Sequence, residues 1–448
     1  MQRPISKESK VVAMSSTGTA TTTDRPRLLR AVGLFSLTAM AVNGMVGSGI
    51  FVLPAQVAGI LGPASLLAYV IAGLATGLIV LCFAEVGSLF DRSGGPYLYA
   101  REAFGEWVGF EIGWMLLLAR VTAIGAISNA FASYAGFSEG GGRIFVIALS
   151  VGALAAVNYY GVCYGAWANN FFAVAKLAPL IVFIAAGLFW IDPHRFEGWT
   201  VLQPSGLRQA SLLLIFAFGG FEFAVVPGEE AINPQRNLPI ALLSAMGLVT
   251  VLYMLIQVVA QGTLPGLASS PTPLADAAHQ FLGPVGGLLL TAGALLSTTG
   301  TNSGTILTAP RIVYAMAEGG QLPSIFAKVH PRFRTPHVAI VGVVILGGIC
   351  ALWSRFALLA AVSAIARLLC YMSTCLALPV LRRKMPNARR TFSIAGGPVI
   401  PVLALAISGW LLAGSTRIQI VISAVSALGG AVLFGCYRLV GGKAQIER

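Results

Sequence analysis

The chain has 448 residues, 56% of them hydrophobic and only 10% charged, with a net charge of +13. Soluble domains carry about a quarter charged residues, so a soluble enzyme is excluded and an integral membrane protein is indicated. The basic residues fall in alternate loops with no aromatic-interleaved patch, which argues against a nucleic-acid partner.

Residues 1–30 are polar and rich in Ser and Thr between 15 and 23, which predicts a disordered cytoplasmic tail. They contain no cleavable signal, so the first span acts as its own insertion signal. A spanning helix needs about 20 apolar residues. The chain offers twelve such blocks: 31–60, 62–90, 105–135, 143–161, 167–190, 208–230, 238–262, 284–316, 337–354, 357–380, 396–414 and 418–438. Residues 439–448 read as a second cytoplasmic tail.

Span 1 contains "NGMVGSGIFVLP" (43–54), where glycines crowd mid-span ahead of Pro54. Glycine weakens a helix and proline removes one of its hydrogen bonds. Span 6, "LLLIFAFGGFEFAVVPGEEA" (212–231), repeats the pattern with Gly219–Gly220, then Glu222, then Pro227–Gly228. Interrupted segments at corresponding positions of two inverted halves point to an alternating-access transporter with a midplane site. A packing face of small residues is the alternative for the glycines of span 1.

Three bases lie well inside spans: Arg120 in span 3, Lys176 in span 5 and Arg367 in span 10. The acids in or near membrane are Glu85, Glu111, Glu222, Glu229 and Glu230. An ionisable side chain at that depth is a functional candidate by default. Of the other Lys and Arg, twenty-one fall on one side and five (Arg143, Arg195, Arg208, Arg355, Arg417) on the other, which places both termini in the cytoplasm.

Six cysteines (Cys82, Cys163, Cys350, Cys370, Cys375, Cys436) lie in or beside apolar blocks without metal-ligand spacing and read as small hydrophobes. The four histidines stand in loops or at loop edges without partners. "GGPYLYAREAFG" has a flavour of the dinucleotide glycine motif but no preceding strand, so nucleotide binding is set aside. No metal and no cofactor are expected.

Four segments carry a resemblance. "GLFSLTAMAVNGMVGSGIFVLP" (33–54) resembles the first helix of the amino acid/polyamine/organocation transporter superfamily. "SGGPYLYAREAFGEWVGFEIGW" (93–114) looks like its loop between helices 2 and 3. "FAFGGFEFAVVPGEEAINPQRNLPIA" (216–241) is similar to its sixth helix and following loop, and "PRIVYAMAEGGQLPSIFAKVHPRFRTP" (310–336) to the exit of helix 8. The resemblance covers about residues 35–438 in the family's order and spacing. It implies an all-α integral membrane fold of twelve transmembrane helices. This is the LeuT-like five-plus-five inverted repeat with broken helices 1 and 6, spanning 31–190 and 208–380, plus two C-terminal helices over 396–438. It further implies an amino acid permease in the plasma (inner) membrane, with no covalent chemistry.

On that resemblance, the amides of Gly47, Ser48 and Gly49 would hold the substrate carboxylate at a helix N-terminus. Backbone carbonyls of Phe216, Ala217 and Gly219 would accept from the substrate ammonium, with the Phe216 ring as a cover. Ala119, Arg120 and Ser303 would line the pocket, and Glu222 would brace the pair of broken helices. Lys176 would stand where sodium-coupled relatives hold an ion, bridging carbonyls near Gly44 to Thr298 and Thr299. It would act either as a titrating proton coupler or as a fixed strut. For Arg120 and Arg367, internal pairing with Glu85, Glu111 or Glu222 is weighed ahead of reading a substrate carboxylate. The expected function is sodium-independent transport of amino acids or related amines, as proton symport or exchange. The partners would be the substrate, protons and the lipid bilayer. The alternatives are an amino-acid-binding membrane sensor that moves nothing, and a channel.

Overall fold

An apolar medium offers the backbone no hydrogen-bond partners, so a spanning chain must satisfy its own N–H and C=O groups, and helix is the local solution. The computed structural model describes residues 32–90, 94–160, 165–197, 203–225, 231–333, 335–388 and 390–446, with side chains for all but 165–169 and 439–446. The two terminal tails beyond this range, Cys163, Pro227–Gly228, Glu229 and Glu230 lie outside the described residues. Ordered backbone here is helical, with one isolated parallel bridge between Val32 and Ala231 among the described residues.

Fourteen α-helices are described. Span 1 is split into α1 (Leu34–Met45) and α2 (Ser48–Leu61), and α3 is Ser65–Ser88. The segment 93–114, expected as a loop, contains a nine-residue helix, α4 (Pro96–Phe104). Gly95 and Gly105, at φ 55° and 93°, bound it, and Tyr97, Leu98 and Tyr99 are buried beneath it. Its length is too short to span, which is why apolar-block counting passed over it. Then follow α5 (Glu106–Tyr134), α6 (Gly140–Tyr160), α7 (Gly165–Gly187) and α8 (Pro204–Phe218). The chain continues as α9 (Pro234–Thr263), α10 (Pro273–Glu318), α11 (His337–Trp353), α12 (Phe356–Lys384), α13 (Val399–Leu412) and α14 (Arg417–Ile446). Span 8 was expected to begin at 284; α10 starts a helix earlier and kinks at Gly283.

Among the described residues, eight helical stretches are long and apolar enough to cross a membrane, one of them joining α2 to α3. Leu34–Met45, His337–Trp353 and Val399–Leu412 are shorter apolar helices. Burial is uneven in the way a multi-pass membrane bundle requires. α5 and α12 are mostly buried, whereas α6 and α14 present Phe145, Leu149, Leu428 and Val432 outward. α1, α2, α3, α8 and α9 share one apolar core with α5 and α12.

The two interrupted spans cross at their breaks. A Cβ on Gly44 would fall on the carbonyl of Gly220, and one on Gly220 would fall on the carbonyl of Gly44. Gly220 is also held at φ 116°, a conformation side chains rarely adopt. Backbone thus lies directly on backbone at this point. Gly220→Ala should cost more than the about 1–3 kcal/mol usual for overpacking, because conformational strain adds to the clash. The expected outcome is a lower apparent Tm for the detergent-purified Gly220→Ala protein than for Gly44→Ala, both below wild type; an unchanged Tm would mean the crossing is looser than described.

Candidate functional site

The first break leaves carbonyls at the end of α1 without helical partners. Gly47 N–H bonds Met45 O at 2.8 Å, turning away from the Asn43 carbonyl it would serve in a continuous helix. The fully buried Lys176 of α7 supplies the missing donors. Its Nζ donates to Val46 O at 2.7 Å and Asn43 O at 3.1 Å, and lies 3.0 Å from Thr301 Oγ1 and 3.5 Å from Ser297 O. Ser297 Oγ donates to Val46 O (3.0 Å), and Tyr253 OH to Met45 O (2.7 Å). A cation at a helix C-terminus also meets the negative end of the helix dipole.

This bridge has the expected form with different contacts. Thr298 and Thr299 do not reach Lys176: their hydroxyls bond Ala294 O and Leu295 O of their own helix. Ser297 and Thr301, four residues apart, share the face of α10 that meets α1, whereas Thr298 and Thr299 are rotated off it. At the end of α1 the carbonyls used are those of Asn43 and of Val46 just past it, while Gly44 serves the crossing with Gly220.

Where α2 begins, its first amides have no intrahelical acceptors. The N-cap is Gly47 and no side chain caps the helix. Ser48 Oγ is buried without a hydrogen-bond partner in this structure. Gly49 packs on α8, since a Cβ there would lie 2.8 Å from Ala217 Cα. The small-residue packing proposed as the alternative for these glycines is therefore present, on the Cα face of the segment.

At the second break, Gly219 N–H bonds Ile215 O at 2.9 Å, but Gly220 N–H goes to Glu222 Oε2 at 2.8 Å. That amide would have served Phe216 O had the helix continued. Ala217 O lies 3.2 Å from the Tyr253 hydroxyl. The Phe216 ring packs edge-on against Phe356, with centroids 5.7 Å apart. Ala119 packs among Leu116, Ala366 and Cys370, and its carbonyl accepts from Ser363 Oγ at 2.7 Å. Ser303 is half-buried on α10.

Glu222 gathers the buried charges. Arg367 Nη1 donates to its Oε1 at 2.7 Å, Arg120 Nη2 lies 3.2 Å from the same oxygen, and Tyr371 OH donates to Oε2 at 2.7 Å. Of the three acids weighed as partners for the arginines, the fold selects Glu222. Glu85 instead receives Arg382 at 2.7 and 2.6 Å and the Ile394 amide at 2.7 Å. The Arg120 guanidinium also lies over the Phe223 ring, 4.4 Å from its centroid. Sequence reasoning missed Tyr371, Tyr253, Ser297 and Thr301. The available signals were Tyr371 one turn after Arg367, and the four-residue spacing of Ser297 and Thr301.

A cavity of about 570 Å³ opens beyond Phe356, lined by Val52, Gln56, Asn129, Glu139 and Arg143 among others. Arg143 is fixed in its wall by Asn129 Oδ1 (2.6 Å) and Ala351 O (2.7 Å). Phe356, in the wall of this vestibule, is the residue that packs on Phe216.

A family model described as amino acid permease matches residues 32–432. The chain is 30% identical to the methylthioribose transporter of Bacillus subtilis (strain 168), over 86% of this chain and 88% of the relative. It is 31% identical to the serine/threonine exchanger SteT of the same organism, over 87% and 92%. It is 29% identical to the branched-chain amino acid permease BcaP, also of Bacillus subtilis (strain 168), over 93% and 95%.

Removing one member of a buried charge cluster leaves the others uncompensated, at a cost of about 3–5 kcal/mol. Glu222→Gln should therefore lower the apparent Tm strongly, and by more than Tyr371→Phe, which leaves the charges paired. Equal Tm values for the two variants would show that Glu222 does not hold the cluster together.

Proposed function

We propose that this chain, which belongs to the amino acid permease family, transports amino acids across the plasma membrane by alternating access between its two broken helices. It catalyses no covalent chemistry. The observation that carries the reading is the polarity of what the breaks leave open. The α2 N-terminus offers uncapped amides beside the unpartnered Ser48 hydroxyl, and the end of α8 offers the Phe216 carbonyl, whose regular donor is diverted to Glu222. Amides suit an α-carboxylate and a carbonyl suits an α-ammonium, so the two ends together match the head of an amino acid.

On this reading the amides of Ser48 and Gly49 bind the carboxylate, with Gly47, whose own N–H is held by Met45 O, letting it approach the backbone, while Phe216, Ala217 and Gly219 bind the ammonium. Phe216 against Phe356 forms the gate below the vestibule. Twelve spans, two inverted sets of five and a C-terminal pair, with both termini cytoplasmic, put the vestibule on the outer side. Transport is sodium-independent, because the Lys176 ammonium fills the cage of Asn43, Val46 and Ser297 carbonyls and the Thr301 hydroxyl that a bound cation would need. The relatives' names carry different substrates, so the shared backbone clamp leaves the side chain open.

Uptake into proteoliposomes after a thermal-shift screen of amino acids and amines tests this. Saturable uptake should persist when choline replaces sodium and should fall at least about tenfold in Lys176→Ala; sodium dependence, or full uptake by the variant, would refute the role of Lys176. Trans-stimulation by preloaded substrate without a pH gradient identifies exchange, and its absence with proton-driven uptake identifies symport. A ligand that binds without moving would establish a sensor instead.

A further inference from the structure

Four charged side chains are buried around the crossing among the described residues: Lys176, Arg120, Arg367 and Glu222. Three are basic and one is acidic. Lys176 is matched by helix-end carbonyls, and Arg367 by a short bond to Glu222. Arg120 is left over. Its contact with Glu222 is the longest to that carboxylate, 3.2 Å, through Nη2 alone. Its Nε and Nη1 are buried without a hydrogen-bond partner in this structure, although the side chain is only 1% exposed.

The remaining acids nearby cannot complete it. Glu85 is engaged by Arg382. Glu111 stands nine residues earlier on the same helix, about 13 Å away at 1.5 Å per residue. An uncompensated buried guanidinium is costly, and it borders the break. Arg120 lies over Phe223, and Phe223 lies where a Cβ on Gly44 or on Gly304, the neighbour of Ser303, would touch it.

Resting on the transport reading above, we infer that the substrate carries a second carboxylate, an acidic amino acid, and that Arg120 binds that side-chain carboxylate through the nitrogens the protein leaves open. The incoming negative charge then pairs with the guanidinium left over at the crossing, which a neutral or cationic substrate does not do. Guanidinium–carboxylate pairing supplies directional, charge-assisted bonds that the matching amide side chain cannot replace.

Glutamate against glutamine, and aspartate against asparagine, isolate that charge at nearly constant shape. Affinities of the purified full-length protein by thermal shift, and uptake in proteoliposomes, should favour each acid over its amide by at least about tenfold. Arg120→Gln and Arg120→Lys should each erase most of that ratio. Amides that bind wild type as tightly as the acids overturn the inference, and this comparison decides it alone if the variants do not fold. It is equally overturned if chloride, titrated against methanesulfonate, stabilises wild type but not Arg120→Gln while the acids add nothing. In that case the missing anion is inorganic. If neutral or cationic amino acids are transported and acidic ones are not, the inference fails and the transport reading stands; if no amino acid moves, the transport reading itself fails.

Discussion

Two helices interrupted in an apolar interior leave main-chain groups that water cannot reach, and the rest of the site follows from how those groups are met. Each interrupted helix ends beside a buried cation from elsewhere in the chain. Lys176 of α7 closes the end of α1, and Arg367 of α12 lies against Gly219 at the end of α8. The choice of sign is physical, because carbonyls and the negative end of the helix dipole point that way. The same contacts tie distant elements together. Lys176 joins α1, α7 and α10, while Glu222 joins the second break to α5 and α12 through Arg120 and Arg367.

Because the crossing is backbone on backbone at Gly44 and Gly220, the two breaks are held close with little freedom to slide. What the protein's own side chains satisfy is the carbonyl end of α1 and the Gly220 amide. What they leave is the amide end of α2 and the Phe216 carbonyl. These remainders have opposite polarity, and it is their pairing that the proposed zwitterion clamp uses, since a simple anion or cation would serve only one of them. Gly49 packs on Ala217, so the packing role and the proposed binding role fall on the same short segment.

Much of this was legible from local chemistry. Glycine runs marked both interruptions, and a lysine between "WANNFFAVA" and "LAPLIVFIAAGLFW" could only be paired or neutral. Position along a helix was legible where rotation about its axis was not. α10 runs 46 residues with a kink at Gly283, so no count from its apolar limits could tell that Ser297 and Thr301, rather than Thr298 and Thr299, face α1. The partner of Arg120 was undecided because the sequence offered three acids on three different spans, and only the tertiary arrangement chooses Glu222. Tyr253 and Tyr371 were not singled out in the sequence because their hydroxyls act on groups outside their own helices. α4 escaped notice because its amphipathic face is only nine residues long.

α12 links the levels of the proposed pathway. Phe356 meets Phe216 below the vestibule, Arg367 and Tyr371 meet Glu222 at the crossing, and Arg382 meets Glu85. Eleven residues separate Phe356 from Arg367, and eleven again separate Tyr371 from Arg382, about 16 Å each along a straight helix. A helix moves as a rod, so a rotation of α12 that parts the aromatic pair also strains the contacts at Glu222. Pro379 lies between Tyr371 and Arg382 and removes one ladder bond there. The segment carrying Arg382 can therefore hinge against the rest. On the proposed alternating-access reading, the Glu85–Arg382 pair opens at a different stage from the Phe216–Phe356 contact. Opening the two ends in turn is what alternating access demands of a helix that touches both.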